Sequence, residues 1–217
     1  MLVESRTCGW CGEEIPPWRR ADTKTCSQPC RQKLHRFGVA PAGSSAVAPL
    51  RFAYADPPYP GMAGYYGRPE VDHDHLVEML VRNFPDGWAL STSSKTLLDV
   101  AAIVQAHVKP TGRDARVCSW HKGWRPGASM FARDAWEPLI VVGGRPLDLK
   151  GSDDITNTIS VHTNSRQRSM PTAMVGMKTG EWCEWMFRQL GALRGDTLVD
   201  LFPGSGSVEL AWSRYSR

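Results

Sequence analysis

Strand-like and helix-like segments alternate along the sequence from Leu50 onward, and this alternation restricts the fold more than any other feature. Strand patterns occupy residues 50–55, 87–93, 116–124, 137–144 and 196–202. Helical patterns, in which apolar residues recur every three or four positions, occupy residues 74–84, 95–108 and 181–192, and a short helix follows residue 206. Strands that alternate with helices form a mostly parallel sheet covered on both faces. The sequence therefore predicts an α/β fold.

Composition divides the sequence into three parts. Residues 1–37 hold four of the six cysteines, residues 38–49 are mostly small residues and prolines without a charge, and residues 50–217 carry the alternating pattern. Uncharged stretches of this kind are typical of linkers. A length of 217 residues suffices for one catalytic domain and one small module. We therefore expect a small N-terminal module, a linker and one larger domain.

The N-terminal cysteines are spaced like metal ligands. Cys8 and Cys11 have two residues between them, and Cys26 and Cys30 have three. Two such pairs supply the four thiolates that tetrahedral Zn²⁺ prefers, and the second pair begins a predicted helix whose N-terminus favours the ionised thiols. The segment resembles small treble-clef-like zinc fingers. We predict a structural zinc site, and leave open whether the finger contacts nucleic acid, contacts protein or only stabilises the fold.

The apolar pattern and the cysteine spacing argue against a membrane protein and against a secreted protein. The formal net charge of +4 is compatible with a polyanionic partner. No apolar run approaches the ~20 residues of a membrane helix, and the N-terminus lacks the apolar core of a secretory signal. Cys118 and Cys183 are isolated in the sequence, which predicts plain buried thiols rather than a disulfide framework. We expect a protein of the reducing cytoplasm that does not enter a membrane.

The segment Asp56-Pro57-Pro58-Tyr59 directly follows the first strand pattern. The side chain of Asp56 and the carbonyl of Pro57 are two acceptors that can hold both hydrogens of an amine. Each proline biases the residue before it to extended backbone, which aims these carbonyls rigidly. Tyr59 offers a flat face on which an aromatic base can stack. The segment resembles motif IV of the amino-methyltransferases that act on adenine N6 or cytosine N4.

A second motif closes the last predicted strand. It reads Asp200-Leu201-Phe202-Pro203-Gly204-Ser205-Gly206 and precedes the short helix. Glycines at a strand-to-helix turn let a ligand approach the backbone. The motif resembles motif I of the same family, the loop that holds the methionine part of S-adenosyl-L-methionine (SAM). The preceding segment, with Pro171, Thr172 and Lys178, is similar to the segment before this loop in the family.

The order of the two motifs resembles the permuted β group of these methyltransferases, and similar short proteins are familiar from bacteriophages. The resemblance covers about residues 50–210 and implies a truncated Rossmann-like sheet that binds SAM. It implies a catalytic site formed by Asp56, Pro57, Pro58 and Tyr59. The implied cofactor contacts are Asp56, Lys178, Asp200, Phe202, Pro203, Gly204, Ser205 and Gly206. The implied reaction is site-specific methylation of adenine N6 in DNA, in a bacterial or phage-infected cell.

Alternatives stay open at this point. The aspartate at the first position of motif IV favours adenine, because cytosine-N4 enzymes more often carry serine there, but cytosine N4 and adenine in RNA are other targets. A further alternative is a methyltransferase that has lost its activity and binds DNA through the zinc finger.

One departure from the family affects the cofactor site. The sequence ends about one short helix after motif I, whereas the family usually continues into a strand whose acidic residue holds the cofactor ribose. Either other groups hold the ribose, or a partner chain completes the site, or SAM binding is weak or lost. We expect the strand 196–202 to lie at the sheet edge and to be covered by another element or by a second copy of the chain, since exposed edges are usually covered or paired.

Six further side chains are candidates for nucleic-acid contact. They are Tyr65, Tyr66, Trp120, Lys122, Arg166 and Arg168. Local packing is the alternative for Trp120 and Lys122. The two tyrosines lie in the glycine-rich segment 61–75, which we interpret as a mobile lid over the site or as a surface loop. The two arginines lie in the polar segment 145–173, where the family places its target-recognition residues. A recognition segment this short supplies few base contacts, so we expect modest sequence specificity.

The cysteine spacing predicts that the purified protein holds one zinc ion per chain. Replacing Cys11 by serine removes one ligand, so the Cys11→Ser variant should lose most of its zinc in atomic emission spectrometry. Cys118→Ser is the matched control and should keep the wild-type zinc content, because Cys118 lies far from both pairs. Wild-type protein that carries no zinc after expression in zinc-supplemented medium would contradict this prediction.

Overall fold

The structure is a computed structural model, and it describes residues 6–9, 14–20, 22–37, 48–123, 130, 132–146, 155–162 and 177–216. These residues fall into two compact units, one within 6–48 and one formed by 49–146 and 155–216. The predicted site residues that lie outside the described residues are Cys11, Arg166, Arg168, Pro171 and Thr172. Most of the predicted linker 38–49 also lies outside them, so the three-part division of the chain stays a prediction.

A backbone bridge and a side-chain hydrogen bond connect the segments of the smaller unit near Cys8. An antiparallel bridge joins Thr7 to Glu14. The guanidinium of Arg6 donates a hydrogen bond to the carbonyl of Arg20, at 2.8 Å. Helix α1 spans Gln28–Phe37, so the second cysteine pair lies at the start of a helix, as the sequence predicts.

The larger unit follows the alternating pattern that the sequence predicts. Its elements, in chain order, are β1 Arg51–Ala55, a 3₁₀ helix Ala63–Tyr66, α2 His73–Asn83, β2 Gly87–Ser91, α3 Leu97–Val108, a 3₁₀ helix Lys109–Thr111, β3 Ala115–His121, β4 Trp136–Gly143, β5 Thr158–Ser160, α4 Gly180–Gln189, β6 Thr197–Asp200 and α5 Ser207–Tyr215. The strands form one six-stranded sheet in the order β5-β3-β4-β2-β1-β6. The predicted α/β fold is confirmed.

The direction of the strands brings many chain turns to one edge of the sheet. Strand β1 is parallel to β2 and to β6, whereas β4 is antiparallel to its neighbours β2 and β3, and β5 is parallel to β3. The carboxyl ends of β1, β2, β3, β5 and β6 therefore lie at the same edge, together with the amino end of β4. Ligands of open α/β sheets bind outside the carboxyl ends of the strands.

Both faces of the sheet are buried. Side chains alternate along a strand, so Phe52 and Tyr54 of β1 belong to one core layer while Ala53 belongs to the other. The first layer includes Phe187 of α4, and the second includes Leu80 of α2. A sheet that is covered on both sides needs nearly continuous apolar strands, which is the pattern seen in residues 50–55.

Strands β5 and β6 are the two outer strands of the described sheet. Strand β5 lies in the polar segment 145–173, where the sequence predicts no strand, and its three partly or fully exposed residues carry no apolar pattern. Strand β6, the other outer strand, pairs with β1. Among the described residues, no helix combines the length and apolar character needed to cross a bilayer.

A buried ion pair holds the start of β6. The guanidinium of Arg145 donates to both carboxylate oxygens of Asp196, at 2.7 and 2.9 Å, and the Asp196 side chain is 1% exposed. The same carboxylate accepts hydrogen bonds from the N–H groups of Leu50 and Leu193, at 2.8 and 2.7 Å. Burial acts to raise the pKa of Asp196, but the hydrogen bonds from Arg145 and the backbone outweigh it and lower this pKa. Because Leu50 precedes β1, one carboxylate fixes the entry of β1 beside β6.

We expect Asp196→Asn to lower the free energy of unfolding by about 3 kcal/mol at pH 7, because Arg145 then stays buried without its counter-ion. The pKa of Asp196 is lowered in the folded protein, so its stabilisation is present above the ordinary aspartate pKa and is lost as pH falls through the folded-state value. Urea unfolding at neutral and at acid pH measures both effects.

The matched control is Asp134→Asn. Asp134 lies 3.7 Å from Lys95 in an exposed pair, and such pairs contribute less than about 1 kcal/mol. Equal losses for the two variants at pH 7 would mean that the Arg145–Asp196 pair does not fix the sheet.

Candidate active site

The two motifs begin at the carboxyl ends of neighbouring parallel strands. Tyr54 of β1 is paired in register with Asp200 of β6, and the N–H of Leu201 donates to the carbonyl of Tyr54 at 2.9 Å. Asp56 follows β1 directly, and the glycine turn follows Asp200 directly. Segments far apart in sequence therefore start side by side at one edge of the sheet.

The Asp56–Tyr59 segment is largely withdrawn from solvent. Pro57 is buried, while Asp56, Pro58 and Tyr59 are half-buried. The Asp56 carboxylate lies 3.3 Å from the ammonium of Lys178. The carbonyl of Tyr59 accepts a hydrogen bond from Met62, at 2.8 Å, which fixes the turn that leaves the site. The segment thus presents a carboxylate and an aromatic ring from a fixed backbone.

Lys178 lies between two carboxylates. Its ammonium contacts Asp56 and donates a hydrogen bond to Glu137, the second residue of β4. The other carboxylate oxygen of Glu137 accepts from Lys122, at 3.0 Å. Trp120 and Trp182 lie beside the Lys178 ammonium, with their ring centroids 5.4 and 5.3 Å away. Cations at this distance from aromatic rings are stabilised by the ring electrons.

Burial and charge act against each other in this cluster. Burial raises the pKa of Asp56, and the Lys178 ammonium opposes that rise. Burial also acts to raise the pKa of Glu137, but Lys178 and Lys122 outweigh it and lower this pKa. Burial favours neutral Lys178, yet Asp56 and Glu137 raise its pKa. The Lys178 ammonium therefore favours the ionised form of both carboxyl groups, and the two carboxylates favour the charged form of Lys178.

Asp200, the last residue of β6, has one carboxylate oxygen that accepts no hydrogen bond from the described residues. One carboxylate oxygen of Asp200 accepts from the N–H of Phe202, at 3.1 Å, while the other is buried and has no hydrogen-bond partner among the described residues. Burial, with a smaller effect from the charge of Asp56, raises the pKa of Asp200 to about 6. A buried acceptor without a donor costs free energy, so this oxygen suits a ligand that brings a donor.

Gly206 shapes the start of helix α5. It has a φ of 72° and caps α5 without a side-chain hydrogen bond. A Cβ at this position would meet nothing within 4 Å, so the positive φ, and not a close neighbour, is what favours glycine here. A helix start without a capping side chain leaves backbone N–H groups for a ligand.

Comparison with known proteins places this sheet among solved folds. No family model matches the sequence, and no curated protein matches it. The structure is similar to the crystal structure of the M1.HpyAVI–SAM complex, with a TM-score of 0.52, 13% identity, and coverage of 78% of this chain and 80% of that chain. It is also similar to TTHA0409 of Thermus thermophilus, a candidate DNA modification methylase, with a TM-score of 0.44, 15% identity, and coverage of 79% and 81%.

The fold is similar to that of a protein solved in complex with SAM. The likeness to the M1.HpyAVI–SAM complex, at 13% identity, supports this statement about the fold and does not assign residues. The roles of Asp56, Tyr59 and the glycine turn stay predictions, although the structure brings these segments to neighbouring strand ends. Pro203 and Gly204 are exposed, and Phe202 is half-buried against the layer that contains α2 and α3.

Glu137 is the site residue that sequence reasoning missed. It lies in a strand whose other residues are mostly apolar, and it is buried at 7% exposure. A carboxylate at the start of such a strand is unusual unless it is paired, and this was the available signal. Lys178, predicted as a cofactor contact, contacts two carboxylates in this structure.

The candidates for nucleic-acid contact differ in exposure. Tyr65 is 85% exposed and Tyr66 is 50% exposed, on the 3₁₀ helix Ala63–Tyr66. The Glu70 carboxylate accepts from the backbone of Gly61 and Ala63, at 3.2 and 3.3 Å, and so braces the turn before them.

Trp120 and Lys122 are less suited to the predicted contact. Trp120 is buried and its indole N–H donates to the carbonyl of Val161, at 2.9 Å, so this ring packs in the core and offers no face to a base. Lys122 is paired with Glu137 and is largely buried. The sequence pattern places Trp120 near the end of β3, but it does not show that the ring points into the core layer.

The described cysteines separate into two groups. The sulfur atoms of Cys8, Cys26 and Cys30 lie within 4.8 Å of one another, and those of Cys26 and Cys30 are 3.6 Å apart. Cys118 and Cys183 are buried in β3 and α4, as predicted, and burial raises the pKa of their thiols to about 11 and about 12.

We expect Asp200→Asn to stabilise the apo protein at pH 8 and to leave its stability unchanged at pH 4. The pKa of Asp200 is raised to about 6 in the folded state, so stability falls as pH rises from the ordinary aspartate pKa to about 6 and stays lower above it. The side chain keeps some contact with solvent, so we expect a gain in Tm of roughly 2–4 °C at pH 8. Thermal unfolding followed by circular dichroism measures it.

Asp114→Asn is the matched control, since Asp114 is exposed in the loop before β3. It should leave Tm unchanged at both pH values. A lower Tm for Asp200→Asn than for wild type at pH 8 would show that the Asp200 carboxylate is already satisfied in the apo protein.

Proposed function

We propose that this chain is a SAM-dependent methyltransferase that acts on the exocyclic amine of a nucleic-acid base, and specifically on N6 of adenine in DNA. The observation that supports it most is the pairing of β1 with β6, because this pairing starts Asp56 and the glycine turn side by side. A methyl-transfer site needs the group that holds the amine and the groups that hold the methyl donor at one place. The likeness of the fold to the M1.HpyAVI–SAM complex agrees with this proposal.

In the proposed site, Asp56 and the Pro57 carbonyl accept the two hydrogens of the amine. The lone pair of an aromatic amine is delocalised into the ring, so the nitrogen is a poor nucleophile. Acceptors that hold both hydrogens localise the lone pair toward the methyl donor. Tyr59 supplies a face for the base, which has to leave the stacked helix to reach the site. The enzyme thus acts by positioning and by preorganised charge.

Asp200 and the turn that follows it are proposed to hold a SAM molecule. The buried oxygen of Asp200 that has no partner in the described ranges suits an ammonium donor such as that of the methionine part. The uncapped start of α5 at Gly206 offers backbone N–H groups. SAM supplies an electrophilic methyl group when it is bound. The proposed holding residues are Asp200, Phe202, Pro203, Gly204, Ser205 and Gly206.

The choice of adenine rests on the motif itself, and the choice of DNA rests on the resemblance to the permuted β group of methyltransferases. The first residue of the motif is aspartate, which favours adenine N6 over cytosine N4. Tyr65 and Tyr66 are proposed to contact the nucleic acid beside the extruded base, since they are exposed on a braced turn after Tyr59. We also propose that another element or a second copy of the chain covers the outer edge of β6, since unpaired strand edges tend to be covered.

A structural zinc ion is proposed for the N-terminal unit, held by Cys8, Cys11, Cys26 and Cys30. Three of these sulfur atoms are already clustered. Zn–S bonds of about 2.3 Å in a tetrahedron place the sulfur atoms about 3.8 Å apart. The 3.6 Å separation of Cys26 and Cys30 is close to that value. A unit with so small a core gains much of its folding free energy from a bound metal.

Nucleoside mass spectrometry of cells that express the protein tests the proposed function. We expect N6-methyladenine in the DNA of cells with the wild type, and a rate at least about 100-fold lower for Asp56→Ala, because an acceptor that holds the amine is lost. Asp99→Ala, on the exposed face of α3, is the matched control and should methylate like the wild type.

The other outcomes discriminate between the alternatives. Methylation of cytosine N4, or of adenine in RNA only, would replace the proposed target and keep the enzyme class. Absence of methylation together with absence of SAM binding in calorimetry, while DNA binding persists, would favour a DNA-binding protein without activity and would contradict the proposal.

A further inference from the structure

Four charged side chains of alternating sign form a row that ends at the proposed amine holder. Lys122 lies 3.0 Å from Glu137, Glu137 contacts Lys178, and Lys178 lies 3.3 Å from Asp56. These residues come from the end of β3, the start of β4, the segment before α4 and the end of β1. We name them the charge row.

The inner members of the charge row are buried too deeply to be ordinary surface ions. The side chains of Lys178 and Glu137 are 3% and 8% exposed. Buried charges are costly unless they are paired, and removing one partner leaves the other uncompensated. Glu137 uses one oxygen for each lysine, so it holds the Lys178 ammonium in place against Asp56.

We infer that Lys178 and Glu137 are positioning residues for Asp56. Lys178 keeps the Asp56 side chain ionised and oriented where it receives the amine, and Glu137 holds the Lys178 ammonium in place. This inference rests on the proposed function, since it gives Asp56 the role of amine holder. It also replaces the predicted role of Lys178 as a cofactor contact. Lys178 acts on the acceptor of the amine, and Glu137 acts on Lys178.

The physical argument concerns the proton of Asp56. Only the carboxylate form is free to accept hydrogens on both oxygens, since the acid form carries a proton of its own. Burial favours that acid form, and the Lys178 ammonium opposes it. The titratable groups that face Asp56 are Lys178, Glu137, Tyr54, Tyr59 and Asp200. Lys178 is the cation among these groups, so the ionised form depends on it.

Two single variants should shift the Asp56 pKa in opposite directions. Lys178→Met removes the cation and should raise the Asp56 pKa, while Glu137→Gln removes a nearby negative charge and should lower it. A role limited to packing would give no such opposite pair. Carbon-13 NMR titration of the Asp56 carboxyl in the apo protein measures the shifts, and Asp56→Asn assigns the signal.

Kinetics should follow the titration. The acid limb of the kcat profile should move to higher pH in Lys178→Met and to lower pH in Glu137→Gln. On the acid limb of the profile, below the Asp56 pKa, kcat of Lys178→Met should be about tenfold or more below that of the wild type, since an opposite charge at this distance shifts a carboxyl pKa by about one unit or more. Binding of SAM, measured by calorimetry, should change less than about twofold in both variants, because neither residue is assigned to the cofactor.

Two further variants guard against loss of folding and against general charge effects. Glu137→Gln/Lys178→Met removes one charge of each sign, so it should fold more stably than Lys178→Met alone, while its Asp56 pKa remains above that of the wild type. Lys95→Met is the matched control, because Lys95 is exposed and its partner is Asp134. It should leave the Asp56 pKa and kcat unchanged.

The outcomes separate this inference from the proposed function. If the Asp56 pKa moves in the same direction in both single variants or stays constant, or if Lys178→Met weakens SAM binding tenfold, the positioning role is wrong. If the pKa shifts occur as stated and the wild type methylates no nucleic acid, the control of Asp56 by Lys178 and Glu137 stands and the proposed function fails.

Discussion

The parallel pairing of β1 with β6 is the constraint on which the candidate site depends. Four residue pairs, from Arg51 with Thr197 to Tyr54 with Asp200, set the register of these strands. A shift of one residue would move every side chain of a strand to the other face of the sheet, and would separate the turns that follow the strands. The buried carboxylate of Asp196 resists such a shift, because it binds the N–H of Leu50 at the entry of β1.

Two carboxylates, those of Asp56 and Asp200, lie at the carboxyl ends of β1 and β6. Asp56 and Asp200 lie near each other, and the charge of Asp56 contributes to the raised pKa of Asp200. Asp56 has the Lys178 ammonium beside it, whereas one oxygen of Asp200 has no donor among the described residues. One carboxylate is therefore satisfied by the protein and the other is left for a ligand, which agrees with an amine holder on β1 and a cofactor contact on β6.

Prediction from the sequence succeeded where local pattern decides structure, and it was incomplete where distant contacts decide it. The strand before Asp56 and the helix that begins at the second cysteine pair follow local sequence patterns, and both are found. Strand β5 was missed because its residues 158–160 are partly or fully exposed and polar in part, and it exists through pairing with β3. Trp120 was a candidate either for stacking on a base or for local packing, because its position at a strand end does not reveal that its ring lies in the core.

The sequence by itself determined the order of the strands and helices apart from β5, the two turns at residues 56–59 and 200–206, and the spacing of the N-terminal cysteines. These features are local, since periodicity, proline, glycine and short spacing act on neighbouring residues. Only the tertiary structure decided that Lys178 contacts both Asp56 and Glu137, and that one oxygen of Asp200 has no hydrogen-bond partner within the described part of the chain. The reason is physical: the partner of a buried charge is set by strand register and by packing between segments far apart in the chain, and no local pattern encodes either.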